Sequence, residues 1–78
     1  MGRPPTRSAR RVLARNLRRI RRERELSQDE LAAEANVRQA LVSAIEVGTA
    51  NPTMDSLERL AVALGVTMGD LFADRQQS

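Results

Sequence analysis

Signals that start and stop α-helices recur so closely along this chain that none of its helices can be long. Ser27 is followed three residues later by Glu30, a spacing at which the Ser hydroxyl caps the helix and the Glu reaches back to the Ser amide. Thr67 and Asp70 repeat that spacing, Asp partly replacing Glu. Ser8 and Thr53 are further N-cap residues. Asn36 tolerates the left-handed backbone that a tight turn between helices needs, and Gly48 and Gly65 stop helices in the same way. Pro52 disfavours helix for Asn51 before it.

Between these signals the apolar residues keep helical phase. Val12 or Leu13, Leu17 and Ile20, with Arg24 next in register, make one stripe on an otherwise Arg-rich cylinder running from Ser8 to about Arg24. Leu31, Ala32 and Ala35 form the inner face of a second helix. Val37, Val42 and Ile45 pin a third to the core. Met54, Leu57, Leu60, Ala61 and Leu64 stripe a fourth, and Met68, Leu71 and Phe72 belong to a short fifth. No segment reads as a strand and none repeats. The expected fold is all-α, with five helices.

Composition removes most chemistry. The 78 residues include no Cys and no His, which excludes disulfides, thiolate zinc sites and Cys nucleophiles. There is no nucleophile–base pair, metal-ligating cluster or phosphate-cradling Gly-rich loop, so no enzyme, cofactor, metal or small-molecule ligand is expected. No apolar run is long enough for a membrane span or a signal-peptide core, which implies a cytoplasmic protein. A domain this small buries only about 60% of the surface its unfolded chain exposes, so a homodimer would widen a thin stability margin.

Charge is lopsided. Residues 1–24 carry ten Arg against one Glu, a net +9, and residues 25–78 carry three Arg against nine acids, a net −6. Every basic residue is Arg, whose planar fork can donate two parallel hydrogen bonds to a phosphate. Residues 1–8 read as a flexible basic arm, because Pro4 and Pro5 cannot sit inside a helix and little there can be buried. Residues 9–73 form the domain, and 74–78 a polar tail. An Arg-rich amphipathic helix can lie on an anionic membrane, but residues 10–24 lack Trp and Phe and need their narrow apolar stripe for the core, so no membrane partner is expected.

Two short helices on either side of Asn36 match the helix-turn-helix pattern. Ala32 is small where the two must approach. The second of them, within "VRQALVSAIEVG", turns Gln39, Ala40, Ser43 and Ala44 away from Val42 and Ile45. That face is small, polar and nearly uncharged in a chain that is otherwise densely charged.

"LSQDELA", "IEVG" and "NPTMDSLERLAVALGV" occur in this order and at this spacing. Together they make residues 10–72 similar to the Xre/Cro-like, phage-repressor-type helix-turn-helix family. The resemblance implies a compact five-helix repressor-like domain that binds double-stranded DNA, usually as a homodimer on a two-fold operator, to regulate transcription. It puts Gln39, Ala40, Ser43 and Ala44 where the family reads bases. Gln39 can bond adenine N6 and N7 together, and the alanine methyls can meet thymine methyls. Arg38, at the entry to that helix, can fork onto guanine or grip a phosphate, the latter slightly favoured. Gln28 matches the family's phosphate-binding residue at a helix N-terminus, where free N–H groups and the dipole attract anions. The resemblance also implies an Arg21–Glu46 ion pair that holds the reading helix at its angle.

Two positions depart from the family pattern. Val47 replaces a polar residue common before the Gly, and the loop "TANPT" lacks a basic residue often found there, leaving Thr49 and Asn51 as its candidate phosphate ligands. Arg3, Arg7, Arg10 and Arg11 are placed to supply the missing charge if the arm reaches DNA. Val66, Met68, Leu71 and Phe72 hold more apolar surface than a terminal helix needs. Leu71 is the candidate to close the core, and the set is the candidate dimer face. A stand-alone domain of this kind resembles restriction–modification controller proteins, and also antitoxins that repress their own operon. A helical protein-interaction module without DNA binding is the alternative from another class.

Overall fold

The computed structural model describes residues 8–74. The basic arm with Arg3 and Arg7, and residues 75–78 of the polar tail, lie outside the described residues. Five helices follow in order: α1 (Ala9–Glu23), α2 (Gln28–Ala35), α3 (Gln39–Val47), α4 (Met54–Leu64) and α5 (Met68–Leu71). The described residues contain no strand.

The caps form where the side chains call for them. Ser8, Ser27, Thr53 and Thr67 each accept a hydrogen bond from a backbone N–H in the first turn of their helix. Both capping boxes are closed: the Ser27 amide donates to Glu30 at 2.8 Å and the Thr67 amide to Asp70 at 2.9 Å. Asn36, Gly48 and Gly65 take left-handed φ values of 57°, 92° and 72°. At each, the next amide donates back across the turn, Val37 to Ala32, Thr49 to Ala44 and Val66 to Ala61, so carbonyls in the last turn of α2, α3 and α4 gain partners.

The same turn closes α1 without any Gly or Asn. Glu25 stands at φ 57°, and the Leu26 amide donates to the Arg21 carbonyl at 3.1 Å. The turn ends α1 and leads into the Ser27 cap of α2, whose Leu31 joins Leu17 in the common core.

α1 lies against α3 and α5, while α2 lies against α3 and α4. Leu17, Leu31, Val42, Leu60 and Leu71 are fully buried where these faces meet. Val12 and Leu13 are both buried, so the α1 stripe is wider than a single line of residues. Burying each large aliphatic side chain contributes about 1.5–3 kcal/mol.

Met54 and Asn16 differ from expectation, and Leu71 keeps its expected core role but leaves the candidate dimer set. Met54 is 66% exposed rather than part of the α4 stripe. It is the first residue of α4, and helical Cα–Cβ bonds lean towards the N-terminus, which aims its side chain past the edge of the core. Leu71 closes the core at 0% exposure, so its side chain is spent there and is withdrawn from the candidate dimer face. Asn16 is buried in the α1 stripe: its amide nitrogen donates to the carbonyls of Leu71 and Ala73, each at 2.8 Å, and so fastens the end of α5 to α1.

Candidate nucleic-acid interface

The turn at Asn36 sets α3 across the end of α2, and this crossing decides which side chains face out. Val42 and Ile45 anchor α3 against the core. The opposite face carries Gln39 and Ala40, both exposed, and Ser43 and Ala44, both half-buried. Val47 follows Ser43 by one turn on that face and is 68% exposed. The position at which the chain departs from the family pattern therefore extends the outward face of α3.

A continuous polar chain fixes the orientation of this face. The Arg21 guanidinium grips the Glu46 carboxylate with two hydrogen bonds, Nε to Oε2 at 2.7 Å and Nη2 to Oε1 at 3.0 Å. Its Nη1 donates to the Leu26 carbonyl at 2.7 Å, tying the pair to the turn before α2. The Glu46 side chain is 2% exposed and that of Arg21 11%. Burial alone would push the Glu46 carboxyl up. The hydrogen bonds from Arg21 and Gln28, with the charges of Arg21 and Arg18, outweigh it and hold the carboxyl below its ordinary value. Arg21 is raised above its own, chiefly by its hydrogen bond to Glu46.

From Glu46 the chain passes outward. Gln28 Nε2 donates to Glu46 Oε1 at 3.1 Å, and Gln39 Nε2 donates to Gln28 Oε1 at 2.8 Å. Gln39 is thus held by Gln28, which the buried ion pair holds in turn. An amide nitrogen carries two hydrogens. With one given to Gln28, Gln39 keeps its other N–H and its carbonyl oxygen, the donor and acceptor that bidentate contact with adenine requires. Sequence reasoning assigned Gln28 to a phosphate and missed this positioning contact. No spacing along the chain signals it, since it depends on how closely the starts of α2 and α3 approach.

The remaining candidates divide by what already engages them. Arg38 precedes α3, is exposed, and makes no side-chain capping bond. Arg10 Nε donates to the Ala50 carbonyl at 3.0 Å, which pins the α3–α4 loop to the start of α1 and leaves the outer guanidinium nitrogens for other partners. Arg11 is exposed. Thr49 and Asn51 are exposed on that loop, and the Thr49 hydroxyl donates to the Ala44 carbonyl at 3.4 Å. Arg18, which sequence reasoning passed over, donates to the Glu46 carbonyl at 3.1 Å and clasps the last turn of α3 from the α1 side. Of the remaining candidate dimer residues, Val66 and Met68 are half-buried and Phe72 is 36% exposed.

Residues 17–71, which span the polar chain and all of α2 to α5, match the helix-turn-helix family HTH_3. The chain belongs to that family. It is 40% identical over 69 residues to the uncharacterized HTH-type transcriptional regulator y4dJ of Sinorhizobium fredii, covering 88% of this chain and 90% of the relative. The fold is similar to that of the hypothetical transcription factor NHTF from Neisseria, with a TM-score of 0.83 and 34% identity, covering 94% of this chain and 84% of that one. It is also similar to the restriction–modification controller protein C.AhdI from Aeromonas hydrophila, with a TM-score of 0.78 and 28% identity, covering 81% of this chain and 96% of that one. Among the described residues no group of His, Cys, Asp or Glu could hold a metal ion, and no helix is long and apolar enough to cross a membrane.

Proposed function

We propose that this chain is a transcriptional regulator that binds double-stranded DNA sequence-specifically, as a homodimer on a two-fold operator. The observation that carries the reading is the oriented Gln39 on a small, outward α3 face, backed by Gln28 and the buried Arg21–Glu46 pair. Ala40 and Ala44 let α3 lie deep in the major groove, and Ser43 bonds a base edge or a phosphate there. Gln28, at the start of α2, and Thr49 and Asn51, beyond the end of α3, take phosphates on either side. Arg10, Arg11 and Arg38 add charge. The apolar residues Val66, Met68 and Phe72 supply the two-fold contact. The likeness to a restriction–modification controller favours a regulator of the controller type.

Selection of bound duplexes from a random pool tests this. The expected product is a palindromic site whose half-site centres lie about 34–36 Å apart, one turn of duplex. Gln39→Ala should change the base preference at one position of each half-site. Gln28→Ala should weaken binding to every site and also loosen discrimination at the Gln39 position, because it frees that side chain. A pool that yields no enriched sequence would overturn the reading.

A further inference from the structure

The outer face of α1 carries four guanidinium groups, of which the contact proposed above uses only Arg11. Arg11, Arg15, Arg18 and Arg22 are spaced by four, three and four residues, so they stand in one row along the helix. They form one wall of an open groove of about 930 Å³, whose other wall is the end of α3 at Glu46, Val47 and Gly48.

The charge in this groove is only partly cancelled from within. Glu46 is shared by Arg21 at 2.7 Å and Arg18 at 3.7 Å, and Glu23 pairs with Arg19 at 3.3 Å. Arg11 and Arg22 have no ion pair among the described residues. Arg15 meets Asp74 at 3.0 Å with both side chains well exposed, an arrangement that contributes little in water. Arg18 uses one nitrogen on the Glu46 carbonyl, which fixes the row to α3.

We propose that this row is a backbone groove: it holds the sugar–phosphate strand of the DNA that flanks the base pairs read by α3. The proposal rests on the DNA-binding reading and extends it to a second, separate contact. The length fits, since eleven residues of α-helix rise about 16 Å. Phosphates on one strand advance about 3.4 Å each along the duplex axis, so the row spans about five of them. The position fits as well. The α3 wall of the groove runs directly into Thr49 and Asn51, and Arg10 holds that loop against α1. A strand that passes the loop meets the row next.

The test compares the full chain with its Arg11→Gln/Arg15→Gln/Arg22→Gln variant on two duplexes, the selected site and a scrambled one, between 50 and 200 mM salt. Each phosphate contact contributes about 0.9 to the slope of log K against log salt. The variant should therefore show a slope shallower by two to three units on both duplexes, so that its loss of affinity across this range shrinks by up to about 40-fold. Its preference between the duplexes should not change. Lys at the three positions should restore most of the slope, and Arg59→Gln, on α4, should leave it alone. If the triple variant does not fold, Arg11→Gln and Arg22→Gln taken singly should each remove about 0.9.

An unchanged slope in a folded variant overturns the groove while leaving the DNA reading intact. An unchanged slope together with lost binding to polyglutamate overturns it in favour of an acidic protein segment. If the unmodified chain binds neither duplex, the DNA reading and the groove fall together.

Discussion

At the residue scale, the buried pair of Arg21 and Glu46 links stability to specificity. Removing one partner strands the other charge in a site closed to water, at a cost of about 3–5 kcal/mol. A chain of this length has about 4–12 kcal/mol in total, so Arg21→Ala should unfold a measurable fraction of the protein at 37 °C. The pH dependence follows from the carboxylate. Glu46 is held below its ordinary value of about 4.3, so its contribution is complete above that value and is lost as pH falls through the lower folded-state value. Urea melts from neutral pH downward should show stability falling below about pH 4.3, and Glu46→Gln should be less stable at neutrality with a flatter acid limb. An acid limb as steep in the variant as in the parent would refute the assignment. The pair itself was legible in the sequence through the family's motif. The Gln28–Gln39 contact was not, because it depends on how closely two helix starts approach, and no spacing along the chain reports that. Asn16 was legible in hindsight: it lies three residues after Leu13 and four before Ile20, in phase with the apolar stripe, where a polar side chain signals a buried partner.

At the element scale, the caps carried nearly all the information on where helices begin and end. Ser, Thr, Asn and Gly each act through their own side chain or backbone, so their effect is local and can be read locally. Glu25 shows where that ends. Nothing about Glu favours a left-handed conformation, yet the chain adopts it because the turn is held from both sides, by the Leu26 amide on the Arg21 carbonyl and by Arg21 Nη1 on the Leu26 carbonyl. A side chain with a Cβ in that conformation costs about 1–2 kcal/mol, whereas Gly bears no such penalty and loses about 0.5–1 kcal/mol in chain entropy. Glu25→Gly should therefore stabilise the domain by about 0.5–1 kcal/mol and raise Tm by about 3–6 °C. Calorimetry that found Tm unchanged or lower would show that Glu25 is held by something other than the turn. Met54 marks the converse limit. Its phase is right for the core, but phase does not say how far the core extends along a helix, and α4 begins beyond it.

At the scale of the whole molecule, charge and apolar surface are sorted to different sides. The arginines of α1 adjoin the last turn of α3, while Glu34, Asp55 and Glu58 lie around the junction of α2 and α4, where Arg59 pairs with Asp55 and leaves a net negative charge. If the chain binds DNA as proposed, this field orients it before contact, with its basic side turned towards the phosphates. Sequence composition revealed the polarity along the chain, and folding converts it into polarity across the surface because α1 stays one continuous helix. Orientation alone does not place two copies in register; that requires contact between them. With Leu71 closed into the core, the outward apolar surface near the C-terminal end is Phe72 with the half-buried Val66 and Met68. If these meet their equivalents across a two-fold axis, folding and association are linked, and Tm must rise with protein concentration. Melts over a roughly hundredfold range of concentration should show an increase of several degrees. Phe72→Glu places like charges at the axis without opening the core, since Phe72 is only partly covered, so it should abolish the concentration dependence and leave a folded monomer. On DNA that monomer should still recognise a half-site, but with the cooperative second binding step gone. A Phe72→Glu variant that sediments as the parent does would move the two-fold contact elsewhere on the surface, with the exposed Val62 of α4 the next residue to substitute.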